Sequence, residues 1–199
     1  MGWYAAEIIN AFPGIEGSRY LEIGVHECRT FAEVRACYRV GVDPDPKKIE
    51  SRSILCVTRS DVFFEVVGRK LGPFDVVYID GDHTFEQVLR DWNNAVAVLS
   101  LGGIIVVDDL LPEREEDLRP LNSGTGYRLL AAMLARGDEV WMQERDPRLK
   151  DYGVCVFPAP KRWVGEVVER SLEEFLKLME RRPRDPLSEL KRFVSLLPR

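Results

Sequence analysis

The sequence has little that would hold a zinc ion or build a disulfide framework. It contains 199 residues with four cysteines, none of them in a Cys-x-x-Cys pair, and two histidines, His26 and His83, that lie far apart. This pattern argues against a zinc site and against a small disulfide-stabilised fold. We expect most of the cysteines to be small, buried apolar residues.

Two further absences bear on location and partners. The chain has no run of 18 or more apolar residues, and no basic segment followed by an apolar one stands at its N-terminus. We therefore expect a cytoplasmic protein without a membrane partner. The formal net charge of −5 argues against a nucleic-acid partner. A hydrophobic content of 45% predicts a globular core.

Short apolar segments predict a parallel sheet. Five such segments lie at 20–24, 38–43, 54–58, 74–80 and 102–109. Each is a continuous apolar run, which is typical of a strand buried on both faces. Helical patterns alternate with them, at 28–37, 45–52, 60–71 and 84–100. The alternation predicts βαβ units in an α/β fold with a doubly wound, Rossmann-like sheet.

The region after the fifth strand has a different order of elements. A helix is predicted over 125–136, and two strands over 139–144 and 153–158 follow without a helix between them. Two strands joined in this way can pair antiparallel. Residues 110–124 are predicted to form an acidic, mobile loop.

We divide the chain into two parts. Residues 1–158 form one domain, and residues 159–199 form a C-terminal helical extension. Amphipathic patterns predict helices over 163–181 and 187–197. The extension either packs on the domain or mediates oligomerisation, for example in a homodimer.

Residues that could bind a ligand lie at the ends of the first two predicted strands. Ligands of open α/β sheets bind at the carboxyl ends of the strands. The first strand ends with Glu22 and Gly24, and a glycine there lets a ligand approach the backbone, although an ordinary βα turn needs one too. Asp43 follows about 20 residues later, a separation typical of an acid that binds both ribose hydroxyls of adenosine. Its alternative role is a helix cap.

The fourth and fifth strands end in the segments YIDGDH and VVDD. Asp80, Asp108 and Asp109 can present three carboxylates to one point, where like charges repel. A hard cation such as Mg²⁺ would relieve that repulsion, and the alternative is a hydrogen-bonded cluster with no metal. Asp82 and His83 are candidate bases, because histidine titrates near neutrality. The alternative for His83 is a structural hydrogen bond or a cap for the helix that follows Thr84.

A smaller constellation follows the third strand. Ser60 and Asp61 stand where a hydroxyl or carboxylate could accept a hydrogen bond from the amino group of adenine. A plain helix cap is the alternative.

Five segments together resemble the class I S-adenosylmethionine-dependent methyltransferases. They are YLEIG, GVDPDP, TRSDVFFE, FDVVYIDGDHTFEQVLRDWNNAV and LGGIIVVDDL. The likeness is greatest to the small branch, methyltransferase domain 24, whose fourth strand ends in an Ile-Asp-Gly-x-His type motif. It covers about residues 18–157, and it implies a seven-stranded sheet whose last strand is antiparallel.

The resemblance implies roles for the cofactor residues. Glu22 and Gly24 match the motif that holds the methionine part of S-adenosylmethionine, and Asp43 matches the acid that binds its ribose. Asp61 matches a position near adenine, and we add Ser60 and Asp80 to the cofactor-binding set. Cys28 departs from the family, because it replaces a glycine that is usual in the first motif.

The same resemblance implies roles for the acceptor side. In related magnesium-dependent O-methyltransferases, the positions of Asp80, Asp108 and Asp109 bind the metal. Asp82 matches a base of some sugar O-methyltransferases, whereas many members of this branch have a neutral residue there and a histidine at the position of His83. Either residue is therefore a candidate for the catalytic base.

The implied function is methylation of a small-molecule acceptor that carries hydroxyl groups or resembles a sugar, with assistance from Mg²⁺. One alternative is a non-catalytic protein that binds the cofactor or a partner on the same fold. Another is an NAD(P)-dependent oxidoreductase, which the missing Gly-x-Gly-x-x-Gly and Tyr-x-x-x-Lys patterns disfavour.

Overall fold

A seven-stranded sheet organises the computed structural model, which describes residues 4–120, 122–143, 152–158, 160–164, 167, 170–180, 185–187 and 189–190. The strands are β1 (Arg19–Ile23), β2 (Tyr38–Asp43), β3 (Ile54–Val57), β4 (Phe74–Ile79), β5 (Leu99–Val107), β6 (Trp141–Gln143) and β7 (Val154–Phe157). Their order in space is β3-β2-β1-β4-β5-β7-β6. Neighbours among β1 to β5 are parallel, and β7 runs antiparallel to β5 and β6. This topology confirms the predicted doubly wound sheet with an antiparallel last strand.

Helices cover both faces of the sheet. They are α1 (Tyr4–Asn10), α2 (Arg29–Glu33), α3 (Ser60–Phe63), α4 (Arg69–Leu71), α5 (Phe85–Val98), α6 (Tyr127–Arg136) and α7 (Leu172–Met179). A π-helical turn, Phe64–Gly68, joins α3 to α4, so the predicted helix over 60–71 is present with an irregular middle. None of the helices in the described part of the chain combines the length and hydrophobicity that crossing a bilayer requires.

The sheet is buried on both faces, as the continuous apolar runs predict. In β1, Leu21 and Ile23 pack in a core layer with α5 and α6, and Tyr20 packs in a second layer with α1 and α2. In β4, Val77 faces the first layer and Tyr78 the second. Because successive side chains of a strand point to opposite faces, each central strand contributes to both layers.

Residues 45–52 do not form the predicted helix. Their backbone is bonded to the first βα turn: the N–H of Lys47 donates to the carbonyl of His26 at 2.7 Å, and the thiol of Cys28 donates to the carbonyl of Lys48 at 3.2 Å. Pro46 supplies no N–H group, and Arg52 has a φ of +63°. These tertiary contacts outweigh the helical periodicity of the segment.

Two other predictions meet a different structure. The described residues of 163–181 are helical only over Leu172–Met179, and residues 191–197 of the second predicted helix lie outside the described chain. The acidic loop contains a 3-10 turn, Glu115–Leu118. Within that turn the buried carboxylate of Asp117 accepts hydrogen bonds from the N–H groups of Glu113 and Arg114, at 3.0 and 3.1 Å.

The start of the C-terminal extension packs on the domain. Phe175 of α7 is fully buried in the first core layer, and its ring centroid lies 5.3 Å from that of Tyr127 in α6. Ser171 caps α7, because its hydroxyl accepts from the N–H of Glu174 at 3.2 Å. These contacts are what the packed form of the extension requires, and a role in oligomerisation stays a prediction.

Candidate active site

A cleft of about 660 Å³ lies at the carboxyl ends of β1, β2 and β4, and it continues to the first turns of α3 and α5. Its lining includes seven of the predicted site residues, namely Gly24, Asp43, Ser60, Asp61, Asp80, Asp82 and His83. Asp108 and Asp109 line a small recess beside it, together with Asp80 and His83. The sheet topology therefore brings the strand-end residues to one place.

Gly24 allows the backbone after β1 to lie close to the backbone after β4. Its φ is +91°, and a Cβ atom would lie 2.0 Å from the carbonyl oxygen of Asp80. The sequence predicted that this glycine lets a ligand approach the backbone. In the structure, the atom that lies close to Gly24 is the carbonyl oxygen of Asp80, which follows the neighbouring strand β4. Any larger residue would force β1 and β4 apart where the cleft begins.

Cys28 adopts the conformation that the usual glycine would supply. Its φ is +56°, in the left-handed region, and its side chain is buried with 3% exposure. The N–H of Cys28 donates to the carbonyl of Val25 at 2.5 Å. The first βα turn is therefore closed despite the replacement, although a left-handed non-glycine residue costs about 1 kcal/mol or more.

Asp43 fastens two turns. One of its carboxylate oxygens accepts from the N–H of His26 at 2.9 Å, and the other accepts from the N–H of Asp45 at 2.7 Å. Each carboxylate oxygen has two acceptor sites, so both can still accept from the hydroxyl groups of a ribose. The helix that Asp43 would have capped is absent, because residues 45–52 are not helical, and ribose binding stays a prediction.

Glu22 lies below the cleft and outside its lining. It is 2% exposed, and its carboxylate accepts from the hydroxyl of Tyr20 at 2.5 Å. Burial raises the pKa of Glu22 well above its usual value; the Tyr20 hydrogen bond lowers that pKa, and the nearby charge of Asp80 raises it. A direct contact between Glu22 and the cofactor stays a prediction.

His83 lies between two carboxylates. Its Nε2 is 3.6 Å from Oδ1 of Asp80, and its Nδ1 is 3.5 Å from Oδ2 of Asp109. Nδ1 also contacts the carbonyl of Asn122. Burial lowers the pKa of His83, but Asp80, the charge of Asp109 and the Asn122 carbonyl together raise it to about 9. In this arrangement His83 is an imidazolium at neutral pH, which differs from the expected titration near neutrality.

Asp108 and Asp109 point in different directions although they are adjacent. Asp109 has a φ of +59°, and its Oδ1 accepts from the N–H of Tyr152 at 3.1 Å. Asp108 accepts from the hydroxyl of Tyr78 and, at 2.9 Å, from the N–H of Asp109. Ligand atoms of Asp80, His83 and Asp109 lie within 4.8 Å of one another. His83 thus occupies the place in this cluster that the prediction gave to Asp108, whose role as a ligand stays a prediction.

Asp82 binds the backbone at the start of α5. Its Oδ1 accepts from the N–H of Thr84 at 2.8 Å, and this bond holds the pKa of the exposed carboxyl below its usual value despite some burial. The side chain of His83 does not make the cap considered for it: Thr84 is the N-cap residue, and the N–H of Phe85, the first helical residue, donates to the hydroxyl of Thr125 at 2.8 Å. As a cleft residue that is ionised at neutral pH, Asp82 can still accept a hydrogen bond from an acceptor hydroxyl.

Two cleft residues on α5 were not predicted from the sequence. Gln87 and Asp91 both line the cleft, and Asp91 is a carboxylate with 1% exposure. Burial raises the pKa of Asp91 to about 6, although hydrogen bonds from Ser60 and Gln87 oppose the shift. The available signal was their four-residue spacing, which places both side chains on one helix face.

Comparisons with known proteins bear on the family and the fold. Residues 21–110 match the family model described as a methyltransferase domain. A comparison with curated protein sequences finds no match.

Solved structures resemble the fold at low sequence identity. The cofactor-bound protein Rv0187 from MTB has a TM-score of 0.60 and 18% identity, with 77% of this chain and 76% of that chain covered. The O-methyltransferase TomG of Streptomyces achromogenes, in complex with SAM, has a TM-score of 0.55 and 18% identity over 71% and 72% of the two chains.

A third structure is the methyltransferase MycE of the mycinamycin biosynthetic pathway, in complex with Mg and SAH. Its TM-score is 0.54 with 20% identity, and the match covers 77% of this chain but 47% of MycE. Family match and structural likeness point the same way. Residues 21–110 are similar to a methyltransferase domain, and the chain has the fold of the class I S-adenosylmethionine-dependent methyltransferases.

Proposed function

We propose that the protein transfers the methyl group of S-adenosylmethionine to a hydroxyl group of a small hydroxylated or sugar-like acceptor, with help from a divalent cation. The observation that carries the proposal is the cluster of Asp80, His83 and Asp109 at the β4 and β5 end of a cleft that continues past Asp43 to Ser60. One end of the cleft suits a nucleoside, and the other combines carboxylates with a candidate base.

The strand order supports one orientation of the cofactor. Neighbouring strands lie about 4.8 Å apart, so Asp43 at the end of β2, Gly24 after β1 and Asp80 after β4 are successive steps along the cleft. The ribose would bind at Asp43, and the sulfonium with its methyl group would lie towards Asp80. Adenine would then extend to Ser60 and Asp61.

The donor set at the acceptor end fits a divalent cation. Asp80 and Asp109 provide carboxylate oxygens, which Mg²⁺ prefers, whereas an imidazole is a poorer ligand for that ion. Asp80 and Asp109 would hold the cation, and His83 would remain available as a base. A bound cation would lower the pKa of a coordinated acceptor hydroxyl.

His83 is the residue that we assign as base. In the structure, the nearby carboxylates of Asp80 and Asp109 raise the pKa of His83 and so favour its protonated form. A cation held by Asp80 and Asp109 would lower the pKa of His83, and its neutral imidazole would then be able to accept the acceptor's proton. Asp82 is the alternative, but its lowered pKa makes it the weaker base.

The loop that follows β5 supports a role in choosing the acceptor. It is tied to the cluster by main-chain contacts: the carbonyl of His83 accepts from Thr125 and Gly126, at 3.0 and 2.9 Å. The hydroxyl of Ser123 donates to the carbonyl of Asp109 at 2.6 Å, and Pro120 lines the cleft. The loop would cover the acceptor, exclude water and select its shape.

Calorimetric titration with S-adenosylmethionine and S-adenosylhomocysteine, with and without Mg²⁺, tests the proposal. We expect binding of both, followed by magnesium-dependent methylation in a panel that includes alcohols, sugars and amines. Asp109→Asn should remove the effect of Mg²⁺, and the matched variant Asp108→Asn tests whether the adjacent acid is also a ligand. Binding without methylation of any acceptor would favour the non-catalytic alternative, and absence of binding would contradict the proposal.

A further inference from the structure

Asp91 is a buried carboxylate that the proposed reaction does not use. It lies on α5, is 1% exposed, and lines the cleft at the end away from the Asp80 cluster. A buried carboxylate is costly unless its oxygens are hydrogen-bonded. Its partners therefore indicate what the residue does.

The partner with the clearest geometry is the side-chain amide of Gln87, one helical turn earlier. Its Nε2 donates to Oδ1 of Asp91 at 3.2 Å, to Oγ of Ser60 at 3.1 Å and, at the longer distance of 3.3 Å, to Oδ1 of Asp61. The amide therefore bridges α5 to the first turn of α3. The side chain of Gln87 therefore connects the two helices that line this end of the cleft.

The orientation of the Gln87 amide is fixed chemically. Nη2 of Arg90 lies 2.5 Å from Oε1 of Gln87, and a guanidinium has donors but no acceptor. The oxygen must therefore face Arg90, and the NH₂ group must face Asp91 and the α3 residues. An exchanged assignment of oxygen and nitrogen would place donors against donors.

Counting donors and acceptors shows what the site lacks. The NH₂ group of Gln87 has two hydrogens, and three acceptors surround it. Asp61 has the longest contact and a side chain that is 48% exposed, and its Oδ1 also lies 3.6 Å from Nε of Arg90. Both contacts are at Oδ1, and a carboxylate has about four acceptor sites, so Asp61 keeps capacity for a ligand that donates hydrogen bonds.

We propose that Asp91 is a positioning residue that sets nucleobase specificity, by holding the Gln87 amide so that Asp61 accepts from the 6-amino group of adenine. The inference rests on the proposed function, because it takes S-adenosylmethionine as the occupant of the cleft. A 6-oxopurine would place an acceptor against the Asp61 carboxylate. The NH₂ group of Gln87, if released from Asp91, would be a donor for that 6-oxo group.

The test is a pair of calorimetric dissociation constants for each protein, one for S-adenosylhomocysteine and one for its 6-oxo analogue, S-inosylhomocysteine. We expect the wild type to prefer the adenosyl compound at least about tenfold, because the 6-oxo compound leaves a polar group unpaired. In Asp91→Leu the Gln87 hydrogen directed at Asp91 loses its acceptor and can donate to the 6-oxo group, so this preference should fall to about twofold or less.

The Gln87→Met variant and the double variant Gln87→Met/Asp91→Leu separate positioning from folding. Both lack the amide that would donate a hydrogen bond to the 6-oxo group, so both should retain the wild-type preference. A merely structural role of Asp91 would not produce this recovery. Glu86→Gln, an exposed change on the same helix, is the matched control.

If Asp91→Leu does not fold, Asp61→Asn examines the acceptor directly, because its amide can donate to a 6-oxo group and should remove the preference. The inference is overturned if the wild type binds both compounds equally. It is also overturned if the folded variants Asp91→Leu and Asp61→Asn keep the wild-type preference. Failure of the wild type to bind S-adenosylhomocysteine at all would instead reject the proposed function.

Discussion

The two ends of the cleft are built in different ways. Around Gly24 and Asp43, the shape is fixed by backbone conformation and by hydrogen bonds from main-chain N–H groups to the Asp43 carboxylate. Around Asp80, His83 and Asp109, the arrangement depends on opposite charges that offset one another. The shape of the first end is therefore set by the backbone. The charge balance of the second end will change with protonation, with cation binding and with substitutions.

The largest expected effect lies at the charged end. His83→Asn should lower the rate of methyl transfer by about 10²–10⁴-fold, because the variant cannot accept the acceptor's proton. The affinity for S-adenosylhomocysteine, measured by calorimetry, should change less than about twofold, since Asp43 and Gly24 are untouched. Asp82→Asn is the comparison variant, and a larger loss of rate there would move the role of base to Asp82.

The rigid end is tested by Gly24→Ala. A methyl group placed 2.0 Å from the carbonyl of Asp80 must push β4 away, and φ is +91°. We expect a loss of about 3 kcal/mol or more in the free energy of unfolding, together with loss of cofactor binding. Chemical denaturation and calorimetry measure the two effects.

Gly14→Ala is the matched control for that change. Gly14 has a φ of +74°, but a Cβ atom there meets nothing within 4 Å. The control therefore carries the cost of the backbone conformation without the collision. Equal destabilisation by the two substitutions would show that the contact with Asp80 is unimportant.

Asp43→Ala should have an intermediate effect. It removes the acceptor for the N–H groups of His26 and Asp45 as well as the proposed ribose ligand. Affinity for S-adenosylhomocysteine should fall about 10–100-fold, since hydrogen bonds to charged groups contribute about 1.5–3 kcal/mol. Unchanged affinity would refute the ribose assignment.

The smallest expected effect concerns pH in the absence of divalent cations. The pKa of His83 is raised to about 9 in the folded protein, above its usual value of 6.5. Its contribution to stability is thus fully present below about pH 6.5 and is lost as pH rises through about 9. Between pH 7 and 9.5 the wild type should lose about 1–3 kcal/mol more than His83→Gln in denaturation with chelator present. Parallel pH profiles would contradict the charge balance.

The sequence was most informative where periodicity and strand ends decide the structure. The bounds of β2 were predicted to the residue, and Asp43 and Asp80 reach the cleft because parallel strands end at one edge. The prediction of a helix over 45–52 was wrong because bonds to His26 and Cys28 outweighed its pattern. Local periodicity cannot reveal such tertiary partners.

Side-chain direction at the site was beyond sequence reasoning for a similar reason. Asp108 and Asp109 look equivalent in the sequence, but the left-handed backbone of Asp109 separates them, and Tyr78 binds Asp108. The importance of Asp91 depends on its burial against Ser60 and Gln87, which lie 31 and 4 residues away along the chain. Each of these features depends on backbone conformation and on three-dimensional contacts that the sequence alone does not show.

The anchoring of the loop after β5 has a consequence for engineering. Its fastening to the cluster uses the carbonyl groups of His83 and Asp109, so the exposed side chains of residues 113–116, 119 and 120 make none of those bonds. A combinatorial library confined to these six positions would vary the exposed surface of the loop, of which Pro120 lines the cleft, and would leave the residues of the cluster in place. The protein is in that sense a scaffold from which altered acceptor preferences can be selected.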